Sequence, residues 1–238
     1  MTEPPDEDAT TPDLARSSAW MALGTVVSRV TGFARLLLIA FTIGTLLDAD
    51  LFNNANTIPN ALYILVAGGI FNVVLVPQLI RAMKRDPDGG DAYAQRVITL
   101  GLLVLAVATV VLLLVVPGLV HLVFDQKLFT PGFEDQRESA RLLMWLCMPQ
   151  VFFYGAFVLV GQVLNARGRF GPMMWAPIAN NLVAVAVLGS YIAAFGTSNG
   201  TDGFTTDQAL LLGVGSTAGI VVQTLVLVPF LPRAGVVF

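Results

Sequence analysis

The chain has 238 residues, 55% of them hydrophobic and only 12% charged, with a net charge of −3. Soluble domains carry about a quarter charged residues, and here the apolar excess runs in blocks such as LGLLVLAVATVVLLLVVPGLV at 100–120. A water-soluble fold is excluded: blocks of ~20 apolar residues match a hydrocarbon core ~30 Å thick, and their continuity is helical, because barrel strands would alternate over ~10 residues.

The opening MTEPPDEDATTPD holds Glu3, Asp6, Glu7, Asp8 and Asp13 among prolines. Residues 1–14 are read as a disordered acidic cytoplasmic tail, and they lack the basic n-region of a signal peptide. Residues 15–238 are read as an all-α lobe of six transmembrane helices, at roughly 17–44, 50–83, 94–123, 139–166, 171–195 and 207–232. Turn-forming or charged loops separate them: TLLDAD, KRDPDGGD, FDQKLFTPGFEDQRE, NARGRFG and GTSNGTDGFTTD. One side of this topology collects Arg16, Arg81, Lys84, Arg85, Arg96, Arg167, Arg169 and Arg233, against Lys127, Arg137 and Arg141 on the other. Positive charge stays inside, so both termini are expected in the cytoplasm.

The first span carries Arg29 and Arg35. An Arg near the bilayer centre costs ~2.5–3.5 kcal/mol, against ~0.3–0.6 gained per Leu or Val. On a wheel of ~100° per residue, Gly24, Thr25, Ser28, Thr31, Gly32 and Arg35 fall within about 60° of Ser28, with Arg29 at about 100°. Leu23, Val26, Val27, Val30, Phe33 and Leu37 fill the opposite side. Gly24, Ser28 and Gly32, spaced by four, allow close approach of another helix. The arginines either line a water-filled cavity or snorkel to a headgroup layer; the second alternative serves two mid-segment residues poorly.

The second span brings Asn53, Asn56, Asn60 and Tyr63 into one polar stripe. The stripe serves either interhelical hydrogen bonding or cavity lining. Pro59 removes a backbone hydrogen bond and Gly68-Gly69 supplies a flexible point, so these three are candidate hinges, with Asp50 at the helix edge as a candidate gate. Such a chamber suits an anion, and broken helices beside it suit alternating access.

Hydrolytic and redox motifs are absent: no HExxH, GxSxG, P-loop or Cys/His cluster occurs. No enzyme activity, cofactor, metal or nucleic-acid partner is expected. Cys147 sits alone in an apolar stretch, and His121 reads as an interfacial residue at a helix end.

SRVTGFAR at 28–35, DADLFNNANTIPN at 48–60 and GGIFNVVLVPQL at 68–79, followed by TPGF and LNARGRFGPMMWAPIANN, resemble the MurJ (MviN) family of lipid II flippases. The family lies within a superfamily of multidrug and polysaccharide-lipid exporters. The resemblance implies two six-helix lobes plus two further helices, alternating access, and a central cavity whose arginines hold a lipid diphosphate. Arg29 and Arg35 match two such positions, and Ser28 and Asp50 match neighbouring motif residues. Where many relatives have two arginines after I-P-N, this chain has Tyr63 and Ile64, and Gly68 stands where a Glu is frequent.

Six spans correspond to one lobe, so the expected partners are lipid II, membrane lipids, a C-terminal lobe or second copy, and cell-wall synthesis proteins. The expected location is the bacterial cytoplasmic membrane. Two other readings stay open: a flippase or exporter of another substrate, and a non-transporting scaffold for cell-wall enzymes.

Overall fold

Helix is dictated nearly everywhere, because in hydrocarbon each backbone N–H and C=O must find its partner within the segment. The computed structural model describes residues 11–66, 76–232 and 235. Eight helices occur among them: α1 (Thr11–Ile43), α2 (Leu47–Val66), α3 (Val76–Arg85), α4 (Asp91–Val123), α5 (Glu134–Cys147), α6 (Gln150–Ala166), α7 (Gly171–Phe195) and α8 (Thr206–Leu225). Short 3₁₀ turns follow α4 and α8, at Gln126–Phe129 and Val228–Phe230. The first ten residues of the acidic tail and the Gly68-Gly69 hinge lie outside the described residues. Helix α1 starts at Thr11, ahead of the expected span, since Pro12 in a first turn is no obstacle to a helix.

Five stretches are long and apolar enough to cross a membrane: Ala19–Ile43, Asp91–Val123, Glu134–Ala166, Gly171–Phe195 and Thr206–Phe230. The expected sixth, 50–83, is represented by α2 and α3 on either side of 67–75. Its polar content (Asp48, Asp50 and four asparagines) sets α2 apart from the others.

The span expected as one helix at 139–166 starts earlier and is broken. Pro149 has no N–H to donate, so the chain closes a tight turn there, with Val151 N–H on the Met148 carbonyl (3.1 Å) and Phe152 N–H on that of Pro149 (3.2 Å). Helices α5 and α6 together make that one crossing. Pro59 and Pro117, by contrast, lie inside unbroken helices.

Helix α8 is the centre of the bundle and touches α7, α5 and α6; α1 packs on α7, α2 on α5 and α6, and α4 on α6 and α5. Lipid supplies no hydrophobic drive for such contacts, so close backbone approach and buried hydrogen bonds carry them. On α8, a Cβ at Gly213 would run into Leu146, one at Gly215 into Val187 and one at Gly219 into Asn180. Thr217 Oγ1 donates to the Leu146 carbonyl (2.7 Å) and Thr224 Oγ1 to that of Phe153 (2.9 Å). Two apolar layers form. One, around Ile43, Phe52, Leu143, Met144 and Leu212, fills the end where α1 leads into α2; the other, around Ile98, Leu159, Leu164 and Leu227, fills the Arg-rich end.

Candidate substrate site

The Gly24–Ser28–Gly32 row of α1 meets α7. The Trp175 indole lies 2.9 Å from where a Cβ of residue 24 would stand. Asn181, buried on α7, donates through Nδ2 to the Ser28 carbonyl (3.2 Å) and to Thr31 Oγ1 (3.0 Å). Close approach at the glycines is therefore realised, and the small polar face is a helix seam. Ser28 enters this seam through its backbone oxygen.

Arg29, rotated by about 100° from Ser28, clears the seam and is exposed. It stands ten residues inside the Ala19–Ile43 stretch, about 15 Å along the axis from its start. Arg35 is half-buried, beside a void of about 10 Å³ bordered by Ile39, Phe52, Ala184, Leu212 and Ser216, where α1, α2, α7 and α8 converge. Six residues of rise separate the two guanidinium-bearing positions by about 9 Å along one helix. Among the described residues the one ion pair joins Arg167 to Asp91 (2.7 Å), so neither Arg29 nor Arg35 has a carboxylate within 4.0 Å there.

The stripe on α2 divides. Asp50, Asn53, Thr57, Ala61 and Ile64 form an exposed face, while Leu51, Phe52, Ala55 and Pro59 are buried. Asn56 turns between helices: Oδ1 accepts from Gln150 Nε2 (3.1 Å) and the Cys147 thiol (3.7 Å), and Nδ2 donates to the Phe52 carbonyl (2.9 Å). Of the two roles open to this residue from sequence, interhelical bonding is the one the structure supports. Asn60 is half-buried, and the side chain of Tyr63 lies outside the described residues. Helices α1 and α2 touch little, so the expected polar residues do not close on one chamber within the lobe. Arg29 and Asn53 lie on its open surface.

Sequence reasoning weighed Asp50 and passed over its neighbour Asp48. Asp50 is exposed, whereas Asp48 is fully buried (0% exposed) and forms a clasp. Its Oδ2 accepts from Ser198 Oγ (2.6 Å), its Oδ1 from Gly203 N–H (2.8 Å), and its own N–H donates to the Gly200 carbonyl (3.0 Å). Ser198 N–H also donates to the Thr42 carbonyl (2.9 Å), and Phe204 N–H to Ser139 Oγ (2.8 Å). Gly44 (φ 81°) and Gly200 (φ 88°) supply the left-handed turns that let these segments meet. Burial pushes the Asp48 carboxyl above the usual carboxylate range; the Ser198 and Gly203 hydrogen bonds oppose that and Asp202 adds to it. The legible signal was the Gly-, Ser- and Asn-rich GTSNGTDG loop, which needs an acceptor to hold it.

Chemically, the arrangement offers two guanidinium forks at different depths of one span, suited to the oxygens of a phosphate or diphosphate. No group of three His, Cys, Asp or Glu suited to a metal occurs among the described residues.

Comparison with known proteins gives one consistent answer. The family model of the lipid II flippase MurJ matches residues 39–238. A protein of Haemophilus influenzae named "Probable lipid II flippase MurJ" is 32% identical over 220 residues, covering 89% of this chain and 40% of its own length. Its namesake in Vibrio cholerae is 30% identical over 232 residues, covering 94% and 42%. That of Rhizobium tropici is 32% identical over 168 residues, covering 69% and 31%. The chain thus spans well under half the length of these curated relatives. With its apolar helices it is a multi-pass membrane protein, and it belongs to the MurJ family of lipid II flippases.

Proposed function

We propose that this chain is the N-terminal lobe of a flippase that carries lipid-linked peptidoglycan precursor, lipid II, across the bacterial cytoplasmic membrane. The observation that carries the reading is the pair Arg29 and Arg35: two cations within one membrane span of a MurJ-family chain, without an ion-pair partner among the described residues. On insertion scales two central arginines cost roughly 5–7 kcal/mol. A diphosphate seated between them offsets that cost, because low dielectric strengthens charge-assisted hydrogen bonds.

In this mechanism the precursor enters from the cytoplasmic end, where Arg81, Lys84, Arg85, Arg96, Arg167 and Arg169 gather and where both termini lie. Its diphosphate pairs first with exposed Arg29 and then with Arg35. Asn53, Asn60 and Tyr63 hydrogen-bond its sugars or phosphates. A second lobe, supplied by a longer chain or by a second copy, covers the face that bears Arg29 and Asn53. Rocking of the two lobes, with bending at Pro59 and Gly68-Gly69 and contacts of Asp50 opening and closing the outer side, exposes the head group outside. Cell-wall synthesis proteins then receive it.

The test is rescue in the host after depletion of the native gene, with external accessibility of lipid-linked precursor as readout. The complete gene, the 238-residue chain, and the complete gene carrying Arg29→Ala plus Arg35→Ala are compared at equal abundance. Rescue by the complete gene alone is the expected result. Rescue by the double variant would make the arginines structural and overturn the cationic site.

A further inference from the structure

We propose a second, independent anion site: a binding cleft for the phosphate of an anionic phospholipid at the end of the bundle opposite the Arg-rich one. A cavity of about 490 Å³ opens there between the end of α4, the Gln126–Phe129 turn and the start of α5. Its floor is apolar, made by Pro117, Val120 and Phe129, and its rim is basic, with Arg137 and Arg141 one helical turn apart on the same face of α5. These are two of the three Lys or Arg residues in the loop and helix end on that side.

Neither rim cation forms an ion pair among the described residues, although the Arg137 charge acts on Glu134 in the first turn of α5. Glu138 also borders the cleft, yet among the described residues no carboxylate lies within 4.0 Å of either guanidinium. Among the residues that line the cleft, two arginines stand against one glutamate. His121 stacks on Phe129 with ring centroids 4.1 Å apart, and its Nδ1 lies 2.9 Å from the Pro117 carbonyl. Since a carbonyl only accepts, Nδ1 donates in that bond.

The depth selects a lipid over a free ion. Arg137 and Arg141 lie three and seven residues inside α5, about 5–10 Å along its axis, where its polar first turns (EDQRESAR) give way to apolar LLMWLC, the sequence boundary expected at a headgroup layer. Below the cleft, Leu114 (73% exposed) and the Val110–Val111 pair present an apolar track on α4 that an acyl chain can follow. Just beside it, Leu122 is 81% exposed. A basic rim over an apolar floor and track fits an anionic amphiphile; inorganic phosphate would use the rim alone. Nothing in this inference rests on transport by Arg29 and Arg35.

The experiment uses the full-length gene product in detergent. Its thermal unfolding is followed while dihexanoyl phosphatidylglycerol, dihexanoyl phosphatidylcholine or inorganic phosphate is titrated in. The expected result is a saturable rise in Tm with phosphatidylglycerol and none with the other two. The Arg137→Gln plus Arg141→Gln variant should need about tenfold more lipid or lose the shift, as expected for two charge-assisted contacts. An Arg81→Gln plus Lys84→Gln variant, at the other end, should keep the shift. If the α5 double variant unfolds without lipid, Arg141→Gln and Phe129→Ala singly provide the comparison. An equal shift with phosphatidylcholine, an equal shift with phosphate, or a shift that survives loss of both rim arginines would each overturn the site.

Discussion

Replacing Asp48 by Ala removes the acceptor on which two loops converge. The Ser198 hydroxyl (2.6 Å) and the Gly203 N–H (2.8 Å) both lose a carboxylate partner. Hydrogen bonds to charged groups contribute ~1.5–3 kcal/mol each, and a buried donor left unmade costs ~1–3. Ser198 can rotate toward other acceptors and Gly203 is only half-buried, so a net loss of about 2–4 kcal/mol is expected. Asp48→Asn is the informative contrast. Its Oδ1 keeps the Gly203 bond, and its Nδ2 can donate to Ser198 Oγ, so less than about 1 kcal/mol is lost.

The sign of the pH dependence separates the two further. The Asp48 carboxyl lies above the usual range when folded, chiefly through burial, so in the window above the unfolded value of ~3.9 the folded state binds more protons. Its contribution to stability is complete below that value and declines as pH rises through the folded one. The cost of Asp48→Ala is accordingly larger at mildly acid than at alkaline pH, and Asp48→Asn flattens this part of the profile. Unfolding in detergent across pH, with hydrogen exchange at Gly203, measures both. Equal stability of the Ala and Asn variants, with Gly203 protected equally in each, would refute the clasp.

Four further outcomes are expected. Gln150→Leu strands Asn56 Oδ1, and a double-mutant cycle with Asn56→Ala should give a coupling of roughly 0.5–1.5 kcal/mol, the range for polar pairs between membrane helices; zero coupling would mean the 3.1 Å bond contributes nothing. Gly219→Ala forces a methyl onto Asn180 and should cost about 1–3 kcal/mol. Gly189→Ala on α7, with nothing within 4 Å of the added methyl, should be neutral or slightly stabilising in the same thermal assay. Cys147 is fully buried (0% exposed), so the parent chain should resist a membrane-impermeant maleimide. Arg29→Cys should react, and its failure to do so in the assembled protein would argue against a water-lined face.

Much of the fold was legible because hydrocarbon is an unforgiving solvent for backbone. Long apolar blocks had to be helices, and the boundaries of α7 (Gly171–Phe195) coincide with the expected 171–195. The spacing of Gly24, Ser28 and Gly32 announced a close helix contact, because small residues at intervals of four leave one groove. The identity of the neighbour stayed hidden. That it is α7, reached across some 150 residues of sequence through Asn181, depends on long-range packing that no local pattern encodes.

The same division holds at the candidate site. Arg29 and Arg35 were visible from composition alone, since a charge inside an apolar span costs enough to demand a reason. Periodicity placed Asn53, Asn56 and Asn60 on one stripe, but a stripe is wider than a contact. Only the packed helices decided that Asn56 turns inward to Gln150 while Asn53 stays outside. Asp48 and Asp50 are two residues apart in one loop-to-helix turn, and a sequence cannot say which of them is covered. The fold covers Asp48, because the 196–204 segment folds back over the start of α2 and a buried carboxylate must then be hydrogen-bonded. Sequence determined the membrane setting, the helices and the cationic span; burial, which is a property of neighbours, assigned each polar residue its partner.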